Sequence, residues 1–232
     1  MESASPDIPR RLPRGSHGLD RQVVEQSQRT RLLEAVGRAV AERGFAAATI
    51  DDIVRRAGVS KQTFYDHFAD KEGCFLAAYE AASAELLRRV RDARAAHEDW
   101  LERTRAGISA YLRWLAADPA LARVFLIEVA AAGPLALERR ERLRDRYAEL
   151  MSDPPTSPGA PPPIEILHAL VAAVDDVVVR HIREHGAERL PELEPTLLHL
   201  HAALLASSSS GAPGSARRRS SGSSPARPAR YA

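Results

Sequence analysis

Residues 49–71 read TIDDIVRRAGVSKQTFYDHFADK, and this stretch decides the fold. Thr49 is placed to cap a helix whose first turn holds Asp51 and Asp52, where the helix dipole favours acids. Ile53, Val54 and Ala57 recur at helical spacing as its buried side. Gly58 supplies the positive φ of a tight turn, and Ser60 caps the helix that follows. Lys71 opens a further helix running to about Arg94. A short amphipathic helix, a glycine turn and a second helix is the order that a DNA-reading element requires. The chain's only lysines, Lys61 and Lys71, both fall here, although Lys and Arg together number 33.

At about 100° per residue, Phe64 and Phe68 share one side of the second helix, and Gln62, Tyr65 and Asp66 the other. The phenylalanines, with Val59 and Ile53, are expected to seal the helix pair, leaving Gln62 and Tyr65 outward. Gln62 suits a two-point pair with adenine, Thr63 a base edge or thymine methyl, and Lys61 a guanine or phosphate. Tyr65, His67, Lys71 and the backbone amide of Thr49 suit phosphate contacts, which position a protein without reading sequence.

Thr49, Ile50, Ile53, Ala57, Gly58, Val59, Ser60, Thr63, Phe64, Tyr65, His67, Phe68, Lys71 and Glu72 stand in the register of the TetR family of bacterial regulators. Val54 stands where alanine is usual. The resemblance covers about residues 28–80. It implies a homodimer that binds a palindromic operator in double-stranded DNA, usually as a repressor. It also implies a small-molecule effector in the C-terminal domain, which shifts the fourth helix and releases DNA.

The rest of the chain is expected to be helical, making the protein all-α. Val24, Leu32, Leu33, Val36, Ala39 and Val40 mark a first helix over Gln22–Arg43 that Gly44 ends. Trp100–Ala116, Pro119–Ala132, Leu135–Met151, Ile164–His185 and Glu194–Ala206 carry helical patterns, with a proline-dense loop at Asp153–Pro163. Four segments follow: a flexible arm over 1–20, a helix-turn-helix DNA-binding domain over 21–72, a helical effector and dimerisation domain over 73–206, and a disordered tail over 207–232. In the arm, Arg10, Arg11 and Arg14 could enter a minor groove or remain solvated; Leu12–His17, LPRGSH, is read as native sequence. Dimerisation is expected on the apolar stripe of Ile164–Ile182 together with the last helix.

Bulk properties narrow the class. The net charge is +2, but residues 207–232 alone contribute +5, so the other 206 residues sum to −3 and only a local patch can favour nucleic acid. Cys74 is the single cysteine, which excludes an intrachain disulfide and suits a reducing cytoplasm. No signal peptide or membrane-length apolar run is present, so a cytoplasmic protein without a membrane partner is expected. With aromatics at 5%, an effector pocket among the helices from Trp100 to Ile182 should be mainly aliphatic and suit apolar ligands. Its candidate lining residues are Trp114, Phe125, Glu128, Tyr147 and His168, although ordinary packing explains each as readily.

His181 and His185 have the i, i+4 spacing of metal ligands but no third partner, and a solvated face explains them better. No phosphate loop, nucleophile elbow or carboxylate pair is evident, so neither cofactor nor catalytic residue is expected. The competing reading is a helical small-molecule-binding or enzyme-like module without DNA binding.

Overall fold

The computed structural model describes residues 21–152 and 162–209. Among these, the regular elements are helices: α1 (Arg21–Ala47), α2 (Ile50–Ala57), α3 (Lys61–His67), α4 (Lys71–Ala95), α5 (Trp100–Ala116), α6 (Pro119–Leu126), α7 (Pro134–Ser152), α8 (Ile164–His185) and α9 (Glu194–Ser209). Short 3-10 turns at Glu128–Ala132 and Ala187–Leu193 join α6 to α7 and α8 to α9. The arm over 1–20, the loop residues 153–161 and the chain beyond 209 lie outside the described residues.

Three boundaries differ from the sequence expectation. Gly44 breaks α1 with φ 76° and ψ 159°, yet helical turns continue to Ala47. The helix expected over Pro119–Ala132 divides at Ile127, beyond which Glu128 turns its carboxylate back to α1. The last helix runs to Ser209, three residues past Ala206, since serine disfavours a helix interior only mildly.

Most buried side chains form one connected cluster from Leu32 in α1 to Leu197 in α9, and Ala148, Leu167 and Val171 form a small second one between α7 and α8. Helix α4 is the shared wall of the large cluster, packing on α1, α5 and α7. Near its start, Cys74 Sγ lies 3.8 Å from the Leu32 carbonyl and the Phe75 ring meets Phe45 edge-on at 5.1 Å. Burial pushes the Cys74 thiol up to about 12, which makes it a packing group and not a nucleophile. Towards its end, Val90 and Arg94 meet Gly107 of α5, where an added Cβ would lie 3.0 Å from Arg94 Cγ. The missing side chain therefore sets the α4–α5 approach. One rigid helix thus reaches from the helix-turn-helix to the middle of the C-terminal bundle.

The stripe expected at a dimer interface is largely internal. Leu167, Leu170, Val171 and Val178 of α8 are buried within the chain, because α7 and α9 both pack on α8. The exposed positions of α8 include Ile164, Ala169, Ala172, Asp176 and Arg180.

Candidate nucleic-acid interface and effector cavity

Thr49 and Asp52 cap α2 reciprocally: the Thr49 hydroxyl accepts the Asp52 N–H at 3.2 Å, and Asp52 Oδ2 accepts the Thr49 N–H at 3.2 Å. The Thr49 hydroxyl also donates to Asp52 at 2.7 Å, and Arg43 and Arg55 flank the same carboxylate. The Thr49 hydroxyl, with help from those guanidinium groups, holds the Asp52 carboxyl below its ordinary value against the opposing effect of burial. Gly58 closes α2 at φ 64° and ψ 40°, and its N–H bonds the Val54 carbonyl. Arg31 of α1 reaches the Ala57 carbonyl at 2.8 Å and so pins the turn from behind. Ser60 Oγ then accepts the Thr63 N–H at 3.0 Å and starts α3.

Phe64 is fully buried and Phe68 nearly so, with ring centroids 5.9 Å apart, and the Arg29 guanidinium covers Phe68 at 4.8 Å. Anchored on these rings, α3 presents Lys61, Gln62, Tyr65 and Asp66 to solvent, and Tyr65 is 53% exposed. The Gln62 side-chain amide donates to Asp66 at 3.0 Å, and Lys61 pairs with Asp51 of α2 at 2.7 Å. Thr63 is half-buried, its hydroxyl 2.9 Å from Ser60 Oγ.

Three residues expected to face phosphate have other occupations. Lys71 donates to the carbonyls of Phe45 at 2.6 Å and Ala48 at 2.8 Å, with its ammonium 4.5 Å over the Phe45 ring. It satisfies carbonyls at the end of α1 and just beyond it, which a helix end leaves without partners. The Thr49 amide is held by Asp52. His67 lies half-buried, 3.4 Å from Gln28 Oε1. Spacing alone could not show that Phe45 and Gln28 of α1 engage Lys71 and His67, or that Asp52 takes the Thr49 amide. Residues 21–72 hold nine basic and eight acidic side chains, so attraction to DNA here must come from placement and not from bulk charge.

The effector candidates separate. A cavity of about 80 Å³ lies among α4, α5, α7, α8 and α9, and of the five expected lining residues only Tyr147 borders it. Trp114 and Phe125 pack on each other at 5.7 Å, and Phe125 stacks on Tyr79 at 4.7 Å. Glu128 stands at the domain junction, accepting the Phe45 N–H at 3.3 Å and facing Arg123 at 3.4 Å. His168 is a surface residue paired with Asp145 at 3.4 Å. Aromatic or polar type alone singled out these four, whereas the cavity is walled by Tyr111, Asp175, His201 and aliphatic residues that periodicity reads simply as core. The His181 and His185 rings lie 4.8 Å apart, and no cluster of three metal-ligating side chains occurs among the described residues.

A capped helix pair with a buried aromatic seam and an exposed polar second helix, carried on an all-α bundle, defines a helix-turn-helix DNA-binding transcriptional regulator. Residues 32–78 match the family model of bacterial regulatory proteins, tetR family. The chain is 32% identical over 106 residues to the HTH-type transcriptional activator FasR of Mycolicibacterium smegmatis, covering 46% of this chain and 48% of that protein. It thus spans about half the length of that relative. It is 29% identical over 170 residues to the HTH-type transcriptional repressor AcnR of Corynebacterium diphtheriae, covering 68% of this chain and 83% of AcnR. The fold superposes on FadR from Bacillus subtilis, solved in complex with stearoyl-CoA, with a TM-score of 0.62 at 17% identity, over 76% of this chain and 97% of that one. Residues 32–78 are thus a tetR-family helix-turn-helix domain. None of its described helices is long and apolar enough to cross a membrane.

Proposed function

We propose that this protein is a cytoplasmic repressor that binds a palindromic operator as a homodimer and leaves it when a small apolar effector binds. Residues 21–72 read DNA, and residues 73–206 hold the effector and form the dimer. The observation that carries the reading is α3 itself: Phe64 and Phe68 fix it from below while Gln62 and Tyr65 stand in solvent. In the major groove, Gln62 pairs with an adenine, Thr63 touches a neighbouring base edge, and Lys61 exchanges Asp51 for guanine or phosphate. Tyr65 takes a phosphate. Thr49, His67 and Lys71 hold the motif in shape, and a phosphate contact from any of them requires leaving its present partner.

In a dimer the two α3 helices must lie one duplex turn apart, roughly 34–36 Å. The exposed face of α8 around Ala169 and Ala172, with the half-buried Leu198 and Leu200 of α9, is the surface we assign to the twofold contact. An effector that binds better to a conformation with a different spacing lowers DNA affinity, and DNA lowers effector affinity by the same factor. FadR of Bacillus subtilis, a protein of the same fold, was crystallised with stearoyl-CoA, whose acyl chain is apolar and whose coenzyme A head is anionic, and this supports an effector with an apolar portion. FasR is named an activator and AcnR a repressor, so the direction of control needs its own test.

An electrophoretic shift with DNA from the gene's own upstream region tests the reading, alongside light scattering for the dimer. A reporter carrying the shifted site tests repression. Absence of any duplex affinity at low ionic strength sinks the proposal.

A further inference from the structure

We propose that Glu128, far outside the helix-turn-helix in sequence, is a positioning residue for DNA binding: its carboxylate holds the Phe45 amide and so fixes the end of α1 from which both α2 and α4 set out. This rests on the reading of the protein as a DNA-binding regulator and adds a residue of the helical bundle to its DNA-binding machinery.

The end of α1 is shaped to be held from outside. Gly44 interrupts the helix at φ 76° and ψ 159°, and one further turn follows, closed by the Ala48 N–H on the Gly44 carbonyl at 3.1 Å. The Phe45 N–H that opens this turn donates to Glu128 Oε2 at 3.3 Å. A Cβ at position 44 would lie 3.3 Å from the same oxygen, so the glycine supplies both the positive φ and the room for the carboxylate. The Glu128 side chain is 13% exposed, and a carboxylate withdrawn from water to that extent needs partners. Here they are the Phe45 N–H and the Arg123 guanidinium, 3.4 Å away. A backbone amide donating to a charged acceptor makes one of the stronger hydrogen bonds.

What the carboxylate holds is the root of the DNA-reading element. The carbonyls of Phe45 and Ala48 accept from Lys71, the first residue of α4, at 2.6 and 2.8 Å. The Phe45 ring meets Phe75 of α4 edge-on at 5.1 Å. Ala48 is followed at once by Thr49, the N-cap of α2. A shift of the Phe45 amide is therefore passed to the start of α4 and to the cap of α2, and through the Gly58 turn to α3.

What holds the carboxylate is the core of the bundle. Glu128 begins the 3-10 turn Glu128–Ala132, in which Val129 and Ala132 are buried, and it follows α6, whose Phe125 and Leu126 are buried. Phe125 also stacks on Tyr79 of α4 at 4.7 Å. The Glu128 backbone is thus rooted on both sides. The Arg38–Asp118 pair joins the same two parts of the protein but grips α1 before the break at Gly44, through an arginine that is largely solvated.

Fluorescence anisotropy on the full chain, with a duplex from the gene's own upstream region as probe, tests the assignment. Glu128→Ala should lower DNA affinity about tenfold, the worth of a hydrogen bond to a charged group, with the helical circular dichroism unchanged. Glu128→Asp keeps the charge but draws it back by one methylene, and should weaken binding as well. Glu128→Gln, whose amide oxygen can still accept the Phe45 N–H, should bind within about threefold of the unaltered protein. Asp118→Ser removes the Arg38 pair and should leave DNA affinity unchanged. Hydrogen exchange at the Phe45 amide should quicken about tenfold in Glu128→Ala and stay as it is in Asp118→Ser. Full DNA affinity in Glu128→Ala and Glu128→Asp, an equal loss in Asp118→Ser, or unaltered exchange at Phe45 overturns the proposal. An unaltered protein that binds no duplex sinks the regulator reading and this inference with it, whereas one that binds DNA equally well with and without the Glu128 carboxylate loses this inference alone.

Discussion

Arg38 and Asp118 form a two-point ion pair between α1 and the start of α6, Nη1 to Oδ1 at 2.9 Å and Nη2 to Oδ2 at 2.6 Å. Asp118 Oδ1 also accepts the Leu121 N–H at 3.0 Å, so the same carboxylate caps α6. The DNA-reading end is thereby fastened to the bundle at the residue that begins one of the bundle's helices.

Substitution separates those two jobs. Asp118→Ser retains an N-cap and loses the pair, and because Arg38 is largely solvated the loss should lie under about 1 kcal/mol. Asp118→Ala loses the cap as well and should cost about 1 kcal/mol more. Urea midpoints at neutral pH check both, and equal midpoints for the two variants would show that the cap contributes nothing.

Gly58→Ala should damage the DNA-reading element beyond its size. At φ 64° an alanine meets the left-handed penalty of roughly 1–2 kcal/mol from the backbone alone, since Arg31 Nη1, 3.6 Å from where the Cβ would stand, makes only ordinary contact. The turn fixes the angle of α3, so DNA affinity should fall together with stability. Unchanged affinity in a variant of lowered melting temperature would mean that α3 keeps its pose without this turn.

Lys71 and Lys61 should respond differently to removal. Lys71→Met strips the final carbonyls of α1 of their donor, so its main effect should be a loss of stability of about 1–2 kcal/mol. The salt dependence of DNA binding should then stay as in the unaltered protein. Tyr65→Phe and Lys61→Ala should lower affinity with little change in stability, and losing a Lys61–phosphate contact should flatten the log–log salt slope by about 0.9. Titrations at several salt concentrations decide it, and a flattened slope for Lys71→Met would restore that residue to the phosphate-facing set.

Much of the DNA-reading element was legible because its signals are local. Thr49, Gly58 and Ser60 act on residues within a turn of themselves, and Phe64 and Phe68 declare a side by spacing alone. Contacts made across the fold were not legible. Arg31 on the α2 turn, Lys71 on the end of α1 and Glu128 on Phe45 join residues 26, 26 and 83 positions apart, and nothing in a local window distinguishes them from solvated charges. The cavity escaped for a related reason. Its walls are mostly ordinary helix-face aliphatics, and the enclosure they form is a property of packing.

His201 supplies a pH dependence whose sign follows from its surroundings. Its ring is buried against the bundle, and burial lowers its basicity, with the positive Arg94 adding to that and the Leu197 carbonyl at 2.7 Å opposing it. The folded state therefore prefers the neutral ring, and the unfolded chain takes up a proton first as pH falls. Stability contributed by this residue is fully present above the ordinary histidine value of about 6.5 and is lost as pH falls from there through the lowered folded value. Urea midpoints should decline between about pH 7 and pH 5 in the unaltered protein, and His201→Gln should flatten that decline. Parallel curves for the two proteins would assign the acid sensitivity to other groups. The same titration bears on the cavity, since a charged His201 would place a second cation on a wall that already carries Arg94.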